Sequence, residues 1–339
     1  MRGYEYIAYG GPEVLRLTQR PDPGAAPGEL VVEVRAIGLN PVDILQRRGA
    51  FRFTSPLRVP FVPGNEFAGT VSAVGADVAG FQIGDRVFAR SDKGRLGALA
   101  ERVAIRAELV AHMPRTASFT TAAAVPLAGT TALQAVTRAL AVTADDTVLI
   151  TAGSSMVGMF AIQIAAATGA HVATTASARN TAALRALGAA RVFDYRQHPD
   201  HEIPGTYTKL LDLVPGANLR SLLGRVEAGG RLVSVAATPT PGSIRHDYDM
   251  PAWRGFALDA ALSVLTAPIR RRARGRSITY QRLSMRPDGA DLRTLADLVD
   301  RDALDVTIDS HFDFTDAPAA FDRIEGGHAL GKVVIELEP

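Results

Sequence analysis

From Thr147 to Val235 the chain alternates short β-branched runs with Ala- and Leu-rich stretches. This rhythm restricts the fold to a parallel sheet covered by helices on both faces. Strands are expected at 147–151, 171–175, 191–193, 209–214 and 231–235. Helices are expected at 159–169, 181–187 and 219–226, with one further amphipathic helix at 291–300. The texture before this region differs. Residues 1 to about 120 hold short alternating runs such as 30–36 and 69–74. They are punctuated by Pro21-Asp22-Pro23-Gly24, Pro63-Gly64 and Gly84-Asp85. Many short strands with frequent turns indicate a closed or partly closed β-barrel. Residues 121–139 read as helix, and 331–337 return to strand.

A length of 339 residues suits two cores, and 47% hydrophobic with 21% charged residues is enough to fill them without staples. Cysteine is absent, so disulfides, thiolate nucleophiles and Cys-ligated metals are excluded. The net charge of +2 is dispersed. The one dense basic run, Arg270 to Arg276, reads as a solvated loop or helix face, with no nucleic-acid partner expected. No run approaches the roughly 20 apolar residues of a membrane span. The first residues lack an apolar signal core, so a cytoplasmic location is expected.

The strand ending at Thr151 runs into Ala152-Gly153-Ser154-Ser155-Met156-Val157-Gly158 and then a helix. Small residues in such a turn let the backbone approach a pyrophosphate at a helix N-terminus, where free N–H groups favour anions. The pattern is Ala152-x-x-Ser155-x-x-Gly158, and a plain Ser-capped turn is the competing reading. An NAD site usually offers an acid at the end of the second strand for the ribose hydroxyls. Here that strand ends in Ala176-Ser177-Ala178-Arg179, with Tyr195 after the third strand. Ser177 and Tyr195 offer hydroxyls and Arg179 pairs with a dianion, so NADP(H) is the expected cofactor.

Several runs in order carry a resemblance: 38–43 (Gly-Leu-Asn-Pro-Val-Asp), 62–69 (Val-Pro-Gly-Asn-Glu-Phe-Ala-Gly), 84–88, 97–101, 126–132, 229–234, 285–289 and Gly331-Lys332. With them the chain resembles, over essentially its whole length, the zinc-independent quinone oxidoreductase and enone (enoyl) reductase branch of the medium-chain dehydrogenase/reductase superfamily. The resemblance implies an α/β chain with a chaperonin-10-like (GroES-like) barrel at 1–122, completed by 303–339. A Rossmann doubly wound parallel sheet at 123–302 binds NADP. It also implies a homodimer, to which an open sheet edge could contribute.

In the zinc enzymes that this chain resembles, the metal ligands include Cys and His. The corresponding positions here fall in the Gly38-Leu39-Asn40 turn and at Asn65 of Gly64-Asn65-Glu66, so no metal is expected. What remains is hydride transfer to an already electrophilic conjugated carbonyl, with hydrogen-bond donors stabilising charge on its oxygen. The resemblance gives Asn40 and Asp43 the catalytic position, with the Asn40 amide donating to the carbonyl. A structural turn capped by Asn40 is the alternative. Thr131 would contact cofactor phosphate or ribose, and Val235 and Ala236 the nicotinamide side. Ala152, Ser155, Met156, Val157 and Gly158 would hold the pyrophosphate. Relatives often carry Tyr after the Asn-Pro-x-Asp run, where this chain has Leu45 and Phe51. These two, with Phe53, Asn65 and Trp253, are the expected substrate pocket. Two alternatives stay open: an enoyl reductase serving one pathway of polyketide-like intermediates, and a ligand-binding or cyclising protein without redox chemistry.

Overall fold

The computed structural model describes residues 1–52, 57–200, 202–242, 252–327 and 329–338. The chain divides into two compact units, Met1–Thr130 with Pro287–Pro339, and Thr131–Arg286. The first unit opens with β1 (Arg2–Tyr6), β2 (Leu15–Gln19), β3 (Glu29–Leu39), α1 (Pro41–Arg47) and β4 (Glu66–Val74). It continues through β5 (Arg86–Arg90), β6 (Arg102–Arg106), β7 (Val110–His112), α2 (Phe119–Ala123) and α3 (Pro126–Leu133). Next come β8 (Thr147–Ile150), α4 (Met156–Ala167), β9 (His171–Ala176), α5 (Thr181–Ala186), β10 (Arg191–Asp194) and β11 (Tyr207–Asp212). Then follow α6 (Leu219–Leu223), β12 (Val226–Ser234), α7 (Ala252–Arg274) and β13 (Thr279–Arg282). The chain returns to the first unit with α8 (Gly289–Asp300), β14 (Ile308–Asp313), α9 (Ala317–Glu325) and β15 (Lys332–Glu336).

The main sheet of the first unit runs β14-β15-β3-β4-β5-β7, with β6 also paired to β3. Its core gathers Tyr6, Leu30, Val32, Phe67, Leu99, Phe321 and Ile335. Register decides what meets at one end of this sheet. Val333 of β15 faces Leu39 of β3, and Gly38 faces Glu66 at the start of β4. Asn40, Glu66 and Lys332 therefore come from distant parts of the sequence to one spot.

Among the described residues the second unit holds six strands in the order β10-β9-β8-β11-β12-β13, all parallel. This is the dinucleotide-fold order, in which the chain reverses direction across the sheet between β8 and β11. Val148, Leu149 and Ile150 of β8 are all fully buried, as a central strand covered on both faces requires.

Several boundaries differ from the sequence reading. The helix expected at 159–169 begins at Met156, because Ser155 caps it. The helix expected at 219–226 stops at Leu223, and Val226 already opens β12. The helix α8, assigned by the boundary at 302 to the second domain, belongs to the first unit. Its Gly289 lies so close to β7 that a Cβ there would meet the Glu108 and Val110 carbonyl oxygens at 2.7 Å. The 23-residue α7 was not expected at all. It carries apolar residues on both sides, so the one-sided periodicity that marks a surface helix is missing. Its last turn includes Arg271, Arg272 and Arg274, where cations suit the helix dipole.

Candidate functional site

The first unit buries a polar cluster where β3, β4 and β15 meet. Asn40 is the N-cap of α1, Pro41 opens the helix, and the Asp43 carboxylate accepts from the Asn40 backbone N–H at 2.8 Å. The turn is thus set locally, by a capping box. The Asn40 side chain is set by tertiary partners. Its Nδ2 donates to Glu66 Oε1 at 2.7 Å and to the Gly38 carbonyl at 3.3 Å. Its Oδ1 accepts from Lys332 Nζ at 2.7 Å. The same ammonium donates to Glu66 Oε1 at 2.5 Å, and Glu66 Oε2 accepts from the Leu127 backbone N–H at 2.6 Å. Glu66 and Lys332 are both almost completely buried. Gly38 has to be glycine here, because a Cβ would lie 2.3 Å from the Ala123 carbonyl and 2.7 Å from Glu66.

Asn65 extends the network. Its Nδ2 donates to Asp43 Oδ1 at 2.7 Å and to Gln46 Oε1 at 2.8 Å, while its Oδ1 accepts from Arg90 Nη2 at 2.9 Å. Burial pushes the Asp43 carboxyl up to about 6. Hydrogen bonds from Asn65 and from the Asn40 backbone oppose that rise, the Glu66 charge adds to it, and the Lys332 charge reduces it. The folded state therefore favours protonated Asp43. This stabilisation is complete below the ordinary value of 3.8 and is lost as pH rises through about 6. The loss is on the order of 3 kcal/mol. A carboxyl ¹³C titration, assigned with Asp43→Asn, is expected to show a midpoint near 6. A midpoint near 4 would contradict this.

This geometry corrects one expectation. Both Asn40 amide hydrogens are engaged within the unit, so the side chain has none left to donate to a substrate carbonyl. Asn65 is fully buried inside the network and does not line an open pocket. Of the other expected pocket residues, Leu45 is exposed and Phe51 half-buried in the first unit. Trp253 is exposed on α7 in the second unit, and Phe53 lies outside the described residues.

In the second unit the parallel strands end on one crest. The loop from Thr151 to Ser155 follows β8, with Ala152 in the left-handed region at φ 50°. Ser155 is exposed; its Oγ accepts from the Gly158 N–H at 3.1 Å and donates to the Ala152 carbonyl at 2.8 Å. Gly153 and Gly158 are the positions without room. A Cβ at Gly158 would lie 2.5 Å from the Ala152 carbonyl, and one at Gly153 would lie 2.0 Å from Thr174 Oγ1. The helix N-terminus at Met156 and Val157 thus follows a tightly packed, small-residue turn. At the end of β9, Ser177 is half-buried and Arg179 exposed, with no carboxylate engaging Arg179 among the described residues. Tyr195 follows β10, half-exposed, its backbone N–H bonded to the Ala176 carbonyl at 3.4 Å. Val235 and Ala236 are half-buried just past β12, and Thr131 is buried in α3.

Sequence reasoning missed Asp212 and Lys332 as members of these groups. Asp212, fully buried at the end of β11, accepts from Thr151 Oγ1 at 3.2 Å, Ser234 Oγ at 2.7 Å and the Val214 N–H at 3.2 Å. It ties together the loops after β8, β11 and β12, and burial raises its pKa. A lone Asp at a strand end carries no sequence signal for this. Lys332 carried only the Gly-Lys pair. Among the described residues, no group of three or more His, Asp or Glu side chains is arranged to hold a metal, and no helix is long and apolar enough to cross a membrane.

Comparison with known proteins agrees with this architecture. Residues 26–115 match the family described as alcohol dehydrogenase GroES-like domain, and residues 187–335 match the family described as zinc-binding dehydrogenase. The chain is 31% identical over 350 residues to the chloroplastic quinone-oxidoreductase QR1 of Triphysaria versicolor, covering 99% of this chain and 98% of that protein. It is 33% identical over 255 residues to the chloroplastic NADPH-dependent alkenal/one oxidoreductase of Arabidopsis thaliana, covering 72% of this chain and 65% of that one. The solved quinone oxidoreductase from Coxiella burnetii superposes with a TM-score of 0.85 at 29% identity, over 100% of this chain and 99% of that one. The chain therefore belongs to the medium-chain dehydrogenase/reductase superfamily, in its quinone and enone oxidoreductase branch.

Proposed function

We propose that this chain is an NADPH-dependent reductase that delivers hydride to the β carbon of a conjugated carbonyl compound, a quinone, enone or enoyl derivative, without a metal. The observation that carries the reading is the buried Lys332 ammonium bridging Asn40 and Glu66. A zinc-binding dehydrogenase family matches part of the chain. Zinc is held by thiolate, imidazole and carboxylate. This cluster offers amides and two carboxylates, Glu66 already paired with the Lys332 ammonium and Asp43 held by Asn65 and the Asn40 N–H, with no thiolate or imidazole, and does not fit the metal. Without a Lewis acid an alcohol is poorly activated as an alkoxide, so an acceptor that is electrophilic by its own conjugation is the substrate class that remains.

The crest of the second unit fits a dinucleotide. The α4 N-terminus, with the loop from Ala152 to Ser155 and the N–H groups at Met156, Val157 and Gly158, suits a pyrophosphate. Ser177, Arg179 and Tyr195 suit a 2′-phosphate, and the absence of an acid at the end of β9 disfavours a bare ribose. Val235 and Ala236 present backbone to the nicotinamide side, and Thr131 contributes a hydroxyl to the same group. Bound there, the reduced nicotinamide supplies a hydride. Asn40 acts as a positioning residue, fixing the Gly38–Asp43 turn through Glu66 and Lys332. No tyrosine follows that turn between residues 41 and 53, so the proton that completes reduction comes from water or from the substrate. The capping role of Ser155 supports a working phosphate loop over a scaffold that has lost its cofactor.

The test uses NADPH deuterated at the nicotinamide C4 position and an acyclic enone. Deuterium is expected at the β carbon of the product, with one NADPH oxidised per product formed. Product without NADPH oxidation, or deuterium at the carbinol carbon, would reject the reading.

A further inference from the structure

The Asp212 carboxylate is buried at the end of β11, and no cation pairs with it among the described residues. A buried charge is costly unless hydrogen bonds compensate it. Two relays of the same form do so here. On one side the Leu213 N–H donates to Thr151 Oγ1 at 2.9 Å, and that hydroxyl donates to Asp212 Oδ1 at 3.2 Å. On the other the Ala237 N–H donates to Ser234 Oγ at 3.0 Å, and that hydroxyl donates to Asp212 Oδ2 at 2.7 Å. The Val214 N–H adds a second donor at Oδ1, at 3.2 Å. A hydroxyl has one proton, so a carboxylate acceptor commits that proton and leaves the oxygen lone pairs to the backbone N–H. Thr151, Asp212 and Ser234 are all buried, so each of these bonds has to be made within the fold.

The two relays end on two turns of the crest. Thr151 leads directly into the phosphate turn at 152–155, and Ala237 closes the turn after β12 that carries Val235 and Ala236. Strand β11 lies between β8 and β12, so one carboxylate at its end reaches both loops. The turns are not equally secured. The phosphate turn is also tied to β9: the Ala152 N–H donates to Thr175 Oγ1 at 3.1 Å, and the Gly153 N–H to the Thr175 carbonyl at 2.8 Å. The turn at 235–237 depends on Asp212 for both of its hydrogen bonds. The Val235 N–H donates to the Asp212 carbonyl at 2.9 Å, and the Ala237 N–H to the hydroxyl that Asp212 orients. Among the described residues no other hydrogen bond reaches this turn.

We propose that Asp212 is a positioning residue for the cofactor, acting through Ser234 to fix the turn that faces the nicotinamide and through Thr151 to keep it in register with the phosphate turn. The proposal rests on the reading of this crest as an NADPH site. Asparagine separates the two arms. Its Oδ1 keeps Thr151 and Val214, the side with two donors, while its Nδ2 faces Ser234 Oγ. The amide then competes with Ala237 for the hydroxyl, whose own proton has no acceptor. Asp212→Asn therefore loosens the nicotinamide turn and spares the phosphate turn.

The experiment titrates the full chain with NADPH and with 2′-phospho-ADP-ribose, which is the same cofactor without its nicotinamide. It also measures hydride transfer to an acyclic enone in single turnovers at saturating NADPH. Asp212→Asn and Ser234→Ala are each expected to slow hydride transfer by roughly tenfold to a hundredfold, through misplacement of the reacting ring. Each is expected to weaken NADPH by about fivefold and to leave 2′-phospho-ADP-ribose within about twofold. Thr151→Val is expected to weaken the two ligands equally. Because Asp212 acts on this turn through Ser234, the double variant of Asp212→Asn with Ser234→Ala is expected to be no slower than either single one. Unchanged affinity for 2′-phospho-ADP-ribose also shows that the second unit is folded, and Ser234→Ala alone decides the matter if Asp212→Asn does not fold. Equal losses of both ligands in Ser234→Ala, an unchanged rate of hydride transfer, or single effects that multiply in the double variant would overturn the proposal. A wild-type chain that binds neither ligand would overturn the reading of the crest, and the proposal with it.

Discussion

Replacing Lys332 by methionine is expected to destabilise the first unit by about 3–5 kcal/mol, the usual cost of stranding one partner of a buried ion pair. Glu66 is fully buried, and its carboxylate keeps only the Leu127 N–H and the Asn40 amide once the ammonium is gone. The Asn40 Oδ1 loses its donor in the same step. The charge left on Glu66 is the main cost, because neutral hydrogen bonds of this kind each contribute about 1 kcal/mol net. Adding Glu66→Gln to Lys332→Met is therefore expected to restore most of the loss. A Gln amide oxygen still accepts from Leu127, and no charge remains to be solvated. Hydrogen exchange of the β3, β4 and β15 amides under mild urea reads the local stability. A loss below about 1 kcal/mol, or a double variant no better than the single one, would show that the pair is not acting as a buried charge pair.

The second large effect concerns the cofactor. Arg179→Ala is expected to weaken NADPH by roughly tenfold to a hundredfold and to leave NADH unchanged, since a charged hydrogen bond contributes about 1.5–3 kcal/mol. Arg179 is exposed at the end of β9, beside Ser177, and no carboxylate among the described residues competes for it. The substitution removes no buried contact, so folding is unaffected and the comparison between the two cofactors is clean. Fluorescence titration of both cofactors against both proteins is the measurement. An equal loss for NADPH and NADH would place Arg179 on a group the two share, such as the pyrophosphate, and would remove the argument for a 2′-phosphate site.

The second unit was largely readable in advance because its signals are local. Buried runs such as Val148-Leu149-Ile150 and the small residues from Ala152 to Gly158 declare strand, turn and helix within a dozen residues. Where the reading failed, the local signal was contradictory. The helix α7 is apolar on its outer face as well as its inner one, so periodicity alone did not reveal it. In the phosphate turn, Ser155 is the exposed cap of α4, and the positions without room are Gly153 and Gly158.

By itself the sequence determined the doubly wound sheet, the β-rich first unit and the absence of thiol chemistry. Spacing and composition act over a few residues and survive without knowledge of the fold. The resemblance singled out Asn40 and Asp43 together, and the structure ties them by a capping box spanning three residues of chain. Only the tertiary structure decided what Asn40 is able to do. Pairing of β15 with β3, nearly three hundred residues apart, brings Lys332 to its oxygen, and pairing of β4 with β3 brings Glu66 to its nitrogen. A side chain that reads as a free donor in the sequence is fully engaged in the fold, because strand register sets which distant polar groups share a buried site and burial obliges each of them to find a partner.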